Sequence, residues 1–175
     1  MGARNGKRFD RMLNHMRILA LTVVLIAVAS QAFAQNLAGR WKLVSAQDVN
    51  AAGEVVRLPW GPHPVGSIVV QGGYLYLQIM SGDTPAFAPE KPVSDQMKAM
   101  LLSSYIAYSG PVTINETEGS VAFKVEAAWR PDYVGTDQRR IFHFENGRLI
   151  FGTAPNSIRG GTERLTRRLT LERVP

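Results

Sequence analysis

Two dipeptides, Gly72-Gly73 and Asn146-Gly147, each join stretches in which alternate residues are apolar, and this constrains the fold more than any other feature of the chain. Both are tight hairpin signals, because a two-residue turn between strands needs residues that accept positive φ. After the first, Leu75, Leu77 and Ile79 share one face, while Tyr74, Tyr76, Gln78 and Met80 share the other. Before the second, Gln138, Arg140, Phe142 and Phe144 oppose Arg139, Ile141, His143 and Glu145. Over Ser120–Trp129, Val121, Phe123, Val125 and Ala127 oppose Ala122, Lys124, Glu126 and Ala128. A side-chain period of two is that of a β-strand. Further strands are expected at Gly39–Ser45 and onward to Val49, and at Glu54–Leu58, Ser67–Gln71, Val112–Asn115 and Arg148–Thr153, with a long last strand at Thr162–Val174. Between them, Pro59, Pro62 and Pro64 make Pro59–Gly66 a stiff loop, and Ser81–Pro92 is a second one.

One segment has a different period. Met97, Met100, Leu101, Ser104, Tyr105 and Tyr108 recur at three- and four-residue spacing, behind Ser94 as N-cap and Asp95 in the first turn. This predicts a helix near 95–107, ended by Gly110-Pro111. With about eight or nine strands joined by hairpins, the expected architecture is all-β: an up-and-down antiparallel β-barrel with one inserted α-helix. Closure removes the exposed sheet edges that would otherwise pair with other chains. A barrel of this size has room for packed side chains or one small ligand.

Residues 1–34 stand apart from this pattern. Arg4, Lys7, Arg8, Arg11 and Arg17 face a single acid, Asp10, and then Ile18–Ala29 is apolar except for Thr22. Ala32-Phe33-Ala34 supplies small residues at the positions a signal peptidase inspects. The apolar run is shorter than the roughly 20 residues that span a bilayer. A cleavable signal at 1–34, a barrel domain at 35–175, and an exported product, periplasmic or secreted, are the expectation. The whole chain carries +6, but the signal accounts for most of that. The C-terminal arginines Arg164, Arg167, Arg168 and Arg173 are interrupted by Glu163, Glu172 and apolar residues, which suggests a solvated strand face and not a nucleic-acid stripe. The chain has no cysteine, so burial alone must hold it together, without disulfides or thiol chemistry.

The first strand, Gly39-Arg40-Trp41-Lys42-Leu43-Val44-Ser45, resembles the Gly-x-Trp signature of the lipocalin (calycin) superfamily. Further segments resemble a family of small lipocalin-like domain proteins: Gly61–Gly66, Gly73-Tyr74 with Gln78–Met80, Tyr105–Gly110, Val125-Glu126, Tyr133–Arg140 and Leu171–Val174. The resemblance implies a barrel with a cavity. It also implies a late-strand arginine stacked over the signature tryptophan to close the barrel floor; Arg173 is the first candidate for Trp41 and Arg168 the second. Two departures stand out: Phe123-Lys124 where the family often bears histidine, and Leu171 where it usually has tryptophan. The first weakens any transfer of histidine-based chemistry.

Candidate chemistry is sparse. His63 and His143 fall in no ligand spacing, so no metal or other cofactor is expected. No Gly-x-Ser-x-Gly elbow is present, and no catalytic residue is assigned. Asn115-Glu116-Thr117, formally a glycosylation sequon, reads as a plain turn. The expected ligand contacts are Trp60, His63, Tyr76, Gln78, Glu126, Arg140 and Phe142, with Trp60 and His63 at the mouth and Glu126 and Arg140 as either ligand contacts or a cross-strand pair. The leading expectation is a non-enzymatic carrier of a small hydrophobic or amphipathic molecule, with no nucleic-acid partner and no membrane span after cleavage. An isomerase or cyclase using acid–base groups in the same cavity, or an envelope protein with a filled barrel, is the alternative.

Overall fold

A computed structural model describes residues 36–86, 88, 90 and 92–175. The signal segment expected at 1–34 lies outside the described residues. Eight strands form the ring: β1 (Gly39–Val49), β3 (Pro64–Gln71), β4 (Tyr74–Ser81), β5 (Tyr105–Asn115), β6 (Ser120–Lys124), β8 (Asp137–Glu145), β9 (Arg148–Gly152) and β11 (Glu163–Val174). Each pairs antiparallel with the next, and β11 returns to β1, so the sheet closes. Three short strands lie off the ring: β2 (Val55–Arg57) on β1, β7 (Ala127–Ala128) on β5, and β10 (Ile158–Gly160) on β11. The expected all-β barrel with one inserted helix is what the chain forms.

The hairpin signals act as their chemistry dictates. Gly72 and Gly73 both take positive φ, and so do Asn146 (+50°) and Gly147 (+77°), as a type I′ turn requires. The alternating apolar faces then point inward. Trp41, Leu43, Ile68, Leu75, Leu77, Ile79, Leu149, Phe151, Leu169 and Leu171 form one buried cluster.

Pro64–Gly66, expected in the proline loop, instead begin β3, paired with β4 from Pro64↔Ser81 onward. The structure differs from the sequence expectation in three further places. The helix, α1, spans Asp95–Ser104 and buries none of its residues. It begins as expected, with the Ser94 hydroxyl accepting from the Met97 N–H, but Tyr105 and Tyr108 belong to β5. The two tyrosines share a helical spacing by coincidence: as strand residues they point to opposite faces, and Tyr108 is buried while Tyr105 is only half-buried. The helix is tethered by polar bonds, from the Trp129 Nε1–H to the Leu102 carbonyl (3.2 Å) and from the Thr84 hydroxyl to the Ser104 hydroxyl (3.2 Å).

The second difference is the long strand expected over Ser120–Trp129, which breaks at Val125-Glu126. There the backbone turns aside: the Val125 N–H donates to the Thr136 carbonyl and the Glu126 N–H to the Ser109 carbonyl. Beyond the break the facing reverses, so that Ala128, not Ala127, packs on the core. Two residues of β5 accommodate the break. A Cβ on Gly110 would sit 1.7 Å from the Lys124 carbonyl oxygen, so only glycine fits. The Val112 N–H serves the β4 side through the Gly73 carbonyl, which puts the proline nitrogen of Pro111 on the side of the interrupted ladder, where no donor is needed. The third difference is at 154–161, expected as a loop, where Ile158–Gly160 pairs with the start of β11.

Candidate ligand site

The two ends of the barrel are built differently, and β1 with β11 shows how. Trp41 pairs with Arg173 near one end and Asp48 with Arg167 near the other. At the first end Trp41 is fully buried and donates its Nε1–H to the Leu37 carbonyl at 2.9 Å. The Arg173 guanidinium lies 4.3 Å from the Trp41 ring centroid and donates to the carbonyls of Ala38 and Asn36. Phe144 packs against Trp41 with its ring tilted by 36° and the centroids 5.7 Å apart, and Phe142 meets Phe144 edge-on. This end is a packed floor.

At the other end Asp48 is fully buried. Its Oδ1 accepts from Arg167 Nε (2.8 Å), and its Oδ2 accepts from Arg167 Nη2 (2.9 Å) and Arg57 Nε (2.7 Å). Burial pushes the Asp48 carboxyl up, but hydrogen bonds and charge from Arg167 and Arg57 outweigh it and hold it below its ordinary value of 3.8. The Arg167 guanidinium then lies 4.8 Å from the centroid of Trp60, which the proline loop brings over the barrel and buries.

Beneath Trp60 is a cavity of about 360 Å³. Its walls are apolar side chains of the barrel interior, Leu77, Ile79, Ile106, Phe151 and Leu169. Its polar groups are Tyr108, Tyr133, Gln138, Arg140, Thr153, Ser157 and Arg167. Arg140 donates from Nη1 to the Arg139 carbonyl (2.7 Å) and from Nη2 to Gln138 Oε1 (3.0 Å) and the Tyr108 hydroxyl (3.5 Å). Among the described residues no cluster of three or more His, Asp or Glu side chains is placed to hold a metal ion.

Residues 38–174 match the family described as the lipocalin-like domain. The chain belongs to the lipocalin-like domain family. A curated relative, a 4'-hydroxy-3'-methoxypropiophenone carrier protein of Aspergillus oryzae, is 31% identical over 94 residues, covering 49% of this chain and 85% of that protein. No solved structure matches the chain.

Within this lipocalin-like barrel the residues singled out in the sequence separate sharply. Trp60 and Arg140 both line the mouth cavity. Phe142 faces inward but is part of the packed core. His63 is exposed on the proline loop, its Nδ1 2.9 Å from Asp83 Oδ1, and does not line the cavity. Tyr76, Gln78 and Glu126 are exposed and point outward, because Leu75, Leu77, Ile79 and Val125 take the inward positions beside them. Glu126 is therefore not the cross-strand partner of Arg140. It accepts from the Tyr74 hydroxyl, and that bond, with some desolvation, pushes the Tyr74 pKa up to about 12. Tyr76 and Gln78 line an outer groove across β3, β4 and β5, larger at about 580 Å³ but open, with Trp129 at its rim.

Sequence reasoning missed Asp48, Tyr108, Gln138 and Arg167. For Gln138 the signal was present, since it shares a face with Arg140 and Phe142. By sequence Arg167 reads as part of a solvated face, although it has the same parity as Leu165, Leu169 and Leu171, all buried. It points inward to meet Asp48.

Proposed function

We propose that this lipocalin-like protein is an exported, non-enzymatic carrier that binds a small amphipathic molecule in the cavity beneath Trp60. The observation that carries the reading is that cavity: it lies in the mouth of the barrel and is amphipathic, with apolar side chains of the interior on one part of its wall and polar groups, Arg140 among them, converging on the rest. Its volume is at the lower end of the range of about 300–1,000 Å³ for ligand pockets, which suits a small molecule of up to about three rings. The Aspergillus oryzae relative is named as a carrier of 4'-hydroxy-3'-methoxypropiophenone, a one-ring aromatic ketone, in keeping with that size. An acid–base reading of the same cavity loses its carboxylate, since Glu126 faces solvent and, among the described residues, no acidic side chain lines the cavity.

The test uses the neutral fluorescent probe N-phenyl-1-naphthylamine. Saturable binding at one site per barrel is expected, with loss of at least tenfold in affinity when Ile106, half-buried in the cavity wall, is enlarged by Ile106→Trp. Non-saturable partitioning, or equal binding by the two proteins, would overturn the carrier reading. Export rests on the arrangement of residues 1–34. The extracytoplasmic fraction should contain a protein whose mass and N-terminal sequence begin at Gln35; an uncleaved chain confined to the cytoplasm would contradict export.

A further inference from the structure

Two arginines line the mouth cavity, and their charges are handled differently. Arg167 shares the Asp48 carboxylate with Arg57, and that carboxylate is saturated: both oxygens are committed, and the group is fully buried behind the cavity wall. Arg140 has only neutral acceptors, which are a backbone carbonyl, the Gln138 amide oxygen and the Tyr108 phenol. Among the described residues no carboxylate lies within 4.0 Å of its guanidinium, and no acidic residue lines the cavity. The side chain lies along Phe123, 5.8 Å from the ring centroid, which takes one face of the guanidinium away from water. A half-buried cation without a counter-charge is costly to hold, and an anion brought to it gains a charge-assisted bond roughly twice as strong as a neutral one.

The geometry points to an amphipathic organic anion as the ligand class, its acid group on Arg140 and its ring-sized apolar body against the Leu77, Ile106 and Leu169 walls. This rests on the carrier reading and adds the charge of the cargo. Tyr108 supports it as a second donor: its oxygen accepts from Arg140, which leaves its own O–H to donate to the same anion. Gln138 is a positioning residue. Its Nε2 donates to the Thr136 hydroxyl (2.9 Å), which fixes the amide so that its oxygen holds Arg140 in place. A cationic ligand would meet Arg140 and Arg167 together and be repelled.

The probe pair 1-anilinonaphthalene-8-sulfonate and N-phenyl-1-naphthylamine shares one body and differs in the sulfonate. Partitioning by hydrophobicity alone favours the neutral member, so an anion preference cannot come from the apolar walls. The wild-type protein should bind the sulfonate about tenfold to a hundredfold more tightly than the neutral probe. In Arg140→Gln the ratio of the two dissociation constants should fall by at least about tenfold, whereas Arg140→Lys should keep most of it. Circular dichroism of each variant checks the fold, and Arg140→Lys keeps the test decisive should Arg140→Gln fail to fold: a preference lost in the folded Lys variant would overturn the assignment to charge. Equal affinities for the two probes in the wild type, or an unchanged ratio in Arg140→Gln, would overturn the anionic class while leaving the carrier reading intact. Failure of both probes to saturate would instead remove the carrier reading and this one with it.

Discussion

Asp48→Asn should lower the stability of the barrel by about 3–5 kcal/mol, the cost of removing one partner from a buried ion pair and leaving the other behind. The side chain is isosteric, so no cavity contributes; the loss comes from the charge. Arg167, whose side chain is only 23% exposed, would lose its carboxylate, and its guanidinium would remain desolvated beside Trp60. Arg57 is 45% exposed and re-solvates more easily, so Arg57→Ala should cost about 1 kcal/mol or less. Urea unfolding of the three proteins measures both numbers, and an Asp48→Asn cost no greater than that of Arg57→Ala would contradict the account. The pH dependence has a definite sign. The folded carboxyl titrates below its ordinary value of 3.8, so its contribution is fully present above that value. It is lost as the pH falls through the lower, folded value. The gap between wild type and Asp48→Asn should therefore be constant near neutrality and narrow in strong acid, where the wild-type carboxyl is also uncharged.

Trp41→Ala should cost a similar amount, about 3–5 kcal/mol, for a different reason. The indole is 1% exposed, so its removal opens a void among Leu37, Phe144 and the floor. It also strips the Leu37 carbonyl of its donor and Arg173 of the ring beneath it. For a domain of this size the loss corresponds to a melting temperature lower by about 10–20 °C, readable by calorimetry. Trp41→Phe should recover most of the burial but not the hydrogen bond, and so fall between. Because Trp41 does not line the mouth cavity, the Trp41→Phe variant should bind N-phenyl-1-naphthylamine as the wild type does. A melting temperature within about 3 °C of wild type for Trp41→Ala would mean that the floor does not depend on this ring.

The barrel was legible because its signals are local. Alternation along a strand and a glycine or asparagine at a turn each act within a few residues, and Asn146-Gly147 folds as its dihedral preferences require. The site was less legible because inside and outside are symmetric until something breaks the tie. In Tyr74–Met80 both faces are large, and sequence alone placed Tyr76 and Gln78 on the ligand side; the aliphatic face went inward instead. Arg167 shows the converse. An arginine among buried leucines reads as solvated until Asp48, 119 residues away, supplies the charge that makes its burial tolerable. The break at Val125-Glu126 was equally hidden, since the residue that makes room for it is Gly110 on a neighbouring strand and not a turn residue of its own.

The seam between the first and last strands has a further consequence, for the order of folding. β1 pairs with β11 from Arg40↔Val174 to Val49↔Thr166, so the ring is sealed by segments roughly 130 residues apart. Every other neighbour in the wall is much nearer in sequence and can pair as a meander grows. Closure must wait until β11 has been made, and the one seam it forms joins the floor and the mouth cluster. Until then the chain is an open sheet: β1 is held by β3 and β2 on one edge and bare on the other, a topology that slows folding and leaves that edge open to pairing with other chains until β11 covers it.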